Sequence, residues 1–193
     1  MNREVLGADR PLIVLVSGMP GSGKTTLARD LGDRLHLPVI SRDLIKTGMH
    51  VTVDSTDPKE IKRFASAAFD VFFANVELLA GHDVSIIAEG AFHRELSADS
   101  LSRLASFGDL AHVAARVDPV IALRRYRERA ERGERHPAHA DLFNLEHLAA
   151  NVEPYLLDQP APVLRVDTAD GWDPSLAEIA EWVGGRRVHT TDG

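Results

Sequence analysis

The chain contains no cysteine, which removes disulfides, thiolate zinc sites and thiol nucleophiles from consideration. It has no surplus of positive charge either. Lys and Arg number 22 against 29 Asp and Glu, a net charge of −7, whereas a general nucleic-acid binder carries a basic surface that exploits counterion release. A small anionic ligand held by a few local groups is untouched by that argument. No stretch approaches the roughly 20 apolar residues that span a bilayer, and Met1 to Arg10 hold acidic residues in place of the apolar run of a secretory signal. Internal repeats and low-complexity tracts are missing too. The expectation is a cytoplasmic protein without membrane attachment, monomer or homodimer. Its 193 residues form one domain over 1–193 that buries a single substantial core, with a polar, flexible tail over about 186–193.

What is present is a phosphate-binding signature. Gly18 to Thr26 read G-M-P-G-S-G-K-T-T directly after the apolar run Leu12 to Val16. The pattern G-x-x-x-x-G-K-[ST] needs a strand before it and a helix after it to aim backbone N–H groups at a polyphosphate. Both flanks are here, so Gly18, Gly21, Ser22, Gly23, Lys24, Thr25 and Thr26 are the expected ATP-binding set. Lys24 is suited to bridge the β- and γ-phosphates, and the Thr25 hydroxyl to ligate Mg²⁺.

Around this loop, apolar periodicity alternates between strand and helix. Short apolar runs at Leu12–Val16, Pro38–Ile40, Val84–Ala88, Leu110–Val117 and Val163–Val166 read as strands. Between them, helices are expected over Lys24–His36, about Pro58–Ala80, Glu95–Phe107, from Asp118-Pro119 onward, and Asp141–Leu157, with a last one over Pro174–Val183. This order predicts an α/β protein, a three-layer α/β/α sandwich with a parallel five-stranded sheet; taken with the glycine loop it resembles the P-loop NTPase fold. The arginine-dense stretch from Arg124 to Pro137, broken by Gly133 and Pro137, reads as a helical lid over about 125–140.

Candidate chemistry lies at the carboxyl ends of the strands, where doubly wound sheets put ligand-contacting residues. Asp43 follows the second strand, placed to accept an acceptor hydroxyl's proton or to orient that hydroxyl; it can equally cap a helix beginning at Leu44. Glu89 ends the third strand beside Gly90, to hold the acceptor or to touch Mg²⁺ through water, or simply as a solvated strand-end acid. His93 and Arg94 come next, facing an anionic or hydroxyl-rich acceptor or opening a solvated helix. In the lid, Arg125, Arg129, Arg132 and Arg135 can donate paired hydrogen bonds to transferring phosphate, with Arg129 and Arg132 preferred. Glu128, Glu131 and Glu134 interleave them, which also suits an ordinary salt-bridged surface helix. His136-Pro137-Ala138-His139 is the densest histidine pair, but without His-Glu-x-x-His it favours a lid turn over a metal site.

On Gly18–Thr26, Ser41-Arg42-Asp43, Ile86–Gly90, Arg132–Pro137 and Val166-Asp167-Thr168, nearly the whole chain resembles the P-loop small-molecule kinases and phosphotransferases of the AAA-domain, zeta-toxin-like and chloramphenicol-phosphotransferase-like groups. It is also similar to polynucleotide 5′-kinase, whose Arg-Asp pair after strand two supplies the general base, a role the resemblance gives to Asp43. Where that kinase has a second aspartate and an arginine, this chain has Leu44 and Lys46, and Lys46 thereby joins Glu89 and Arg94 on the acceptor side. Asp167 falls near the adenine pocket by the same resemblance. Guanine-binding Asn-Lys-x-Asp, transporter Leu-Ser-Gly-Gly-Gln and a strand ending in Asp-Glu are all missing. The implied activity is ATP- and Mg²⁺-dependent phosphoryl transfer to a hydroxyl of a small molecule. A polynucleotide 5′-hydroxyl kinase, or a nucleotide-binding regulatory or toxin-like module, stands as the alternative.

Overall fold

The computed structural model describes residues 10–51, 57–92, 94–132 and 161–186. The expected helix Asp141–Leu157, the lid beyond residue 132 with Arg135, His136 and His139, and the tail beyond 186 lie outside the described residues, as does His93. In chain order the elements are β1 (Leu12–Ser17), α1 (Lys24–Leu35), β2 (Val39–Ser41), α2 (Arg42–Val51), α3 (Pro58–Gly81) and β3 (Ile86–Glu89). After these come α4 (Arg94–Leu104), β4 (Asp109–Arg116), α5 (Pro119–Glu131), β5 (Val163–Asp167) and α6 (Leu176–Gly184).

The five strands are parallel and ordered β2-β3-β1-β4-β5. β1 is central, and it is apolar on both faces because both are covered. Leu12, Val14 and Val16 pack with Leu27, Ala28 and Leu31 of α1 and with Ile179 and Val183 of α6. Ile13 and Leu15 face the other way, onto Phe72, Phe73 and Val76 of α3 and Leu101 and Leu104 of α4. Each such side chain, fully buried, contributes about 1.5–3 kcal/mol of transfer free energy. The three-layer sandwich read from the sequence is the architecture found.

Helix ends follow local chemistry. Asp57 caps α3 by accepting the Lys59 N–H at 2.9 Å, with Pro58 in the first turn. Ser175 and Glu178 form a reciprocal capping box on α6, and the Ser175 hydrogen bonds hold the Glu178 carboxyl below its usual range. α3 departs from one expectation. Its Arg63–Gly81 stretch, 19 residues, is long and apolar enough by composition to cross a bilayer. Ala68, Phe72, Phe73, Val76 and Ala80 nonetheless pack in the core beside the sheet, so one face of the helix belongs to the interior.

Candidate active site

β1 delivers the glycine loop to the carboxyl edge of the sheet at its centre. Gly21 takes φ 87° and Gly23 φ 78°, and Gly23 caps α1 without a side-chain hydrogen bond. A Cβ on Gly21 would collide with the Ala122 carbonyl at the start of α5, so the turn excludes side chains for two independent reasons. No acidic residue occupies the first turn of α1. Its opening N–H groups lack intrahelical acceptors and carry the positive end of the helix dipole, so the end is disposed to take an anion.

One buried carboxylate joins this loop to the neighbouring strands. Parallel pairing sets Glu89 of β3 opposite Val16 of β1 on one side and Ser41 of β2 on the other. Glu89 is wholly buried; its Oε1 accepts from Thr25 Oγ1 at 3.2 Å and its Oε2 from Ser41 Oγ at 2.5 Å. Lys24 Nζ, also buried, stands 4.0 Å from Oε1. A buried charge survives only when paired and hydrogen-bonded, and Glu89 meets both conditions. Hydroxyl and carboxylate oxygens together form the hard donor set that Mg²⁺ prefers, so Thr25 and Glu89 fit that ion.

Ser41 leads straight into α2, whose first turn contains Asp43. The helix begins at Arg42, so Asp43 lies inside its first turn and is not the cap of a helix starting at Leu44. A carboxylate there is favoured by the dipole. Arg42 is held on both sides: Nη1 is 3.5 Å from Asp43 Oδ1, and its guanidinium carbon sits 4.0 Å above the Phe69 ring of α3. Lys46 is half-buried one turn further along α2. Arg94 opens α4, with its side chain outside the described residues.

On the opposite flank of the loop a cleft of about 320 Å³ opens between α5 and the segment after β5. Gly21, Gly23 and Thr26 line one side, and Arg125, Arg129 and Arg132 another. Thr168 and Trp172 close it. The arginines divide by helix face. Arg124 pairs with Glu128 at 3.9 Å on the surface, the expected salt-bridged pattern, whereas Arg125 and Arg129 are half-buried beside the cleft and Arg132 is exposed at its rim. Arg125 is committed to the frame, donating to the Thr168 and Ala169 carbonyls at 2.8 and 2.5 Å. Arg129 and Arg132 use Nε on backbone carbonyls of α5.

The Thr168 hydroxyl reaches the Ser22 carbonyl at 2.7 Å and the Arg116 carbonyl at 3.1 Å, tying β5 to the loop. The Ser22 hydroxyl itself is buried and has no hydrogen-bond partner among the described residues. Asp167 accepts the Ala169 N–H at 2.8 Å and its backbone bridges Asp173. It therefore shapes the loop that carries Trp172, and the loop residues lining the cleft are Thr168, Gly171 and Trp172.

Behind the loop, His112 of β4 is buried, with Nε2 2.5 Å from Ser17 Oγ. Burial, with the Arg165 guanidinium second, lowers its pKa from 6.5 to about 4. Sequence reasoning placed Ser41 and Arg42 beside Asp43 at the strand end without giving either a role, and it missed Phe69 and Trp172 altogether. For Ser41 the signal was adjacency to Asp43; for Trp172 it was a lone aromatic in the turn sequence Asp170-Gly171-Trp172-Asp173-Pro174.

The sequence profile of the AAA domain family matches residues 13–155. No curated protein matches the chain. Among solved structures, a protein assigned as a kinase from Chloroflexus aurantiacus superposes with TM-score 0.82 at 24% identity, over 91% of this chain and 98% of its own. A gluconokinase from Sinorhizobium meliloti gives 0.54 at 19%, over 93% of each chain. Shikimate kinase from Acinetobacter baumannii, solved with shikimate, gives 0.51 at 18%, over 95% and 96%. The fold shared with these structures is that of the P-loop kinases.

Proposed function

The chain belongs to the AAA domain family, and from that premise we propose that it is an ATP- and Mg²⁺-dependent kinase, transferring the γ-phosphate to a hydroxyl of a small molecule. The observation that carries this reading is the Glu89 carboxylate, which links Thr25 of the phosphate loop to Ser41, two residues before Asp43. Nucleotide machinery and acceptor machinery thereby meet at one buried group. Two similar structures carry the names of small-molecule kinases, for gluconate and shikimate, which supports the acceptor class.

In this reading the amides at the start of α1 and the Lys24 ammonium hold the phosphates, while Gly18, Gly21, Ser22 and Gly23 keep the loop open to them. Thr25 and Glu89 would hold Mg²⁺, which supplies neutralisation of the triphosphate's charge. The acceptor oxygen attacks γ-phosphorus, the bond to the β-bridging oxygen breaks, and ADP departs. Asp43 orients the attacking hydroxyl and takes its proton, late if the transition state is loose. Arg129 and Arg132 face charge on the equatorial oxygens. Lys46 and Arg94 stand on the acceptor side, and Asp167 supports the adenine end through its loop. The whole chain acts as one unit with a lid over about 125–140, in the cytoplasm.

The test is transfer from γ-labelled ATP to a panel of sugars, aminoglycoside and phenicol antibiotics, nucleosides, UDP-sugars and 5′-hydroxyl oligonucleotides. Asp43→Asn should bind ATP as wild type does and lose about 10²- to 10⁴-fold in transfer. Equal rates in the two proteins remove Asp43 from the chemistry. ATP binding without any acceptor-stimulated turnover identifies a binding module instead.

A further inference from the structure

Glu89 is wholly buried, so its protein neighbours alone decide how the carboxylate is turned. The terminal torsion of a glutamate has broad two-fold wells in place of sharp rotamers, and hydrogen bonds must set it. The lysine and the loop hydroxyl both stand at one oxygen: Thr25 Oγ1 donates to Oε1 at 3.2 Å, and Lys24 Nζ lies 4.0 Å from the same atom. The other oxygen, Oε2, takes the Ser41 hydroxyl at 2.5 Å. Ser41 therefore distinguishes two oxygens that are chemically alike.

The strand that carries Ser41 is built around this bond. β2 lies at the edge of the sheet and has three residues, of which Val39 is exposed, Ile40 half-buried and Ser41 buried. A polar side chain thus occupies its one fully buried position. Burying a hydroxyl costs free energy unless it is hydrogen-bonded, and the β2–β3 register sets Glu89 directly opposite as the partner.

Given the kinase activity proposed above, we propose that Ser41 is a positioning residue for the metal: it fixes the Glu89 carboxylate so that Oε1 takes the Thr25 proton. A threonine hydroxyl has one proton and two lone pairs. With the proton committed to Oε1, the lone pairs of Thr25, an exposed residue, are left for Mg²⁺, which prefers such oxygen donors. Loss of the Ser41 hydroxyl strips Oε2 of that donor, frees the carboxylate to swing, and removes the fixed acceptor beneath Thr25. Outer-shell partners of this kind are worth about 10- to 100-fold in metal affinity. Ser41 also adjoins Arg42, the first residue of α2, so a purely structural residue there would serve the junction of β2 and α2. The two roles predict different measurements.

Threonine and valine share a shape and differ in the hydroxyl, so Ser41→Thr and Ser41→Val isolate the bond whatever the added methyl group does. Each protein is saturated with the imido analogue of ATP and titrated with Mn²⁺, which takes the same class of oxygen ligand as Mg²⁺ and is counted by electron paramagnetic resonance. Analogue affinity in EDTA is measured separately by calorimetry. Ser41→Val should bind Mn²⁺ about 10- to 100-fold more weakly than Ser41→Thr, with the two affinities in EDTA within about threefold of each other. Ser41→Ala, which adds no bulk, should fall with valine. Equal Mn²⁺ affinity in Ser41→Thr and Ser41→Val overturns the positioning role. An affinity in EDTA that falls as far as the Mn²⁺ affinity does so as well, and assigns Ser41 to the junction alone. Wild type that binds no analogue under either condition sinks the kinase reading itself, a result distinct from both.

Discussion

Replacing Glu89 by glutamine keeps the side chain's shape and deletes its charge, and the surroundings fix what that does. The Lys24 ammonium lies 4.0 Å from Oε1, with side-chain exposures of 6% and 1% for the pair, so solvent screens the interaction little. At an effective dielectric constant of about 20, unit charges at that separation attract by about 4 kcal/mol. Removing one partner of a buried pair typically costs about 3–5 kcal/mol, since the survivor stays desolvated. Glutamine still accepts one hydroxyl hydrogen bond, so the lower end, about 3 kcal/mol, is expected. For a chain of this size about 2–4 °C accompanies each kcal/mol, giving a Tm lower by about 6–12 °C in calorimetry of the nucleotide-free protein. Bound phosphates would replace the missing negative charge beside Lys24, so ATP without Mg²⁺ should recover much of that loss. The gain in ATP affinity on adding Mg²⁺ should shrink at the same time. A Tm within about 2 °C of wild type, together with an unchanged Mg²⁺ effect on binding, would refute the assignment of Glu89 to both the lysine and the metal.

Arg125→Met removes two hydrogen bonds to the loop after β5; at about 1.5–3 kcal/mol each for a charged donor, ATP affinity by calorimetry should fall at least tenfold, with kcat at saturating ATP changed much less. His112 gives a pH signature. Its pKa falls from 6.5 to about 4 on folding, so between those values the unfolded chain binds more protons and stability decreases as pH is lowered. At about 1.36 kcal/mol per pKa unit that amounts to about 3 kcal/mol, measurable by denaturant titration, and His112→Gln should flatten that part of the profile. An equally steep acid loss in His112→Gln places its origin elsewhere.

The glycine loop was legible because its physics is local: three glycines, a lysine and two threonines in nine residues, between an apolar strand and an amphipathic helix. Strand alternation gave the layers for the same reason. Strand order was not legible, since β3 lies between β2 and β1 through pairings that no short-range pattern encodes. The double engagement of Glu89 depends on those pairings: it requires Ser41 and Val16 both to be its register partners. The cleft arginines illustrate a second limit. Arg124 and Arg125 are neighbours of identical type, and only packing of α5 against the loop decides that one meets a glutamate on the surface while the other grips backbone carbonyls. The early start of α2 was hidden because Asp43 reads as the cap of a helix beginning at Leu44, whereas β2 runs on to Ser41 and the helix opens directly after it at Arg42.

The Thr168 hydroxyl, shared between the Ser22 and Arg116 carbonyls, has a mechanical corollary. Any excursion of the phosphate-gripping turn must drag the tip of an edge strand along, which makes the turn stiff before a nucleotide arrives and leaves little ordering entropy to be lost when it does. The same segment also takes hydrogen bonds from Arg125 of α5 through the Thr168 and Ala169 carbonyls, so that helix shares the restraint.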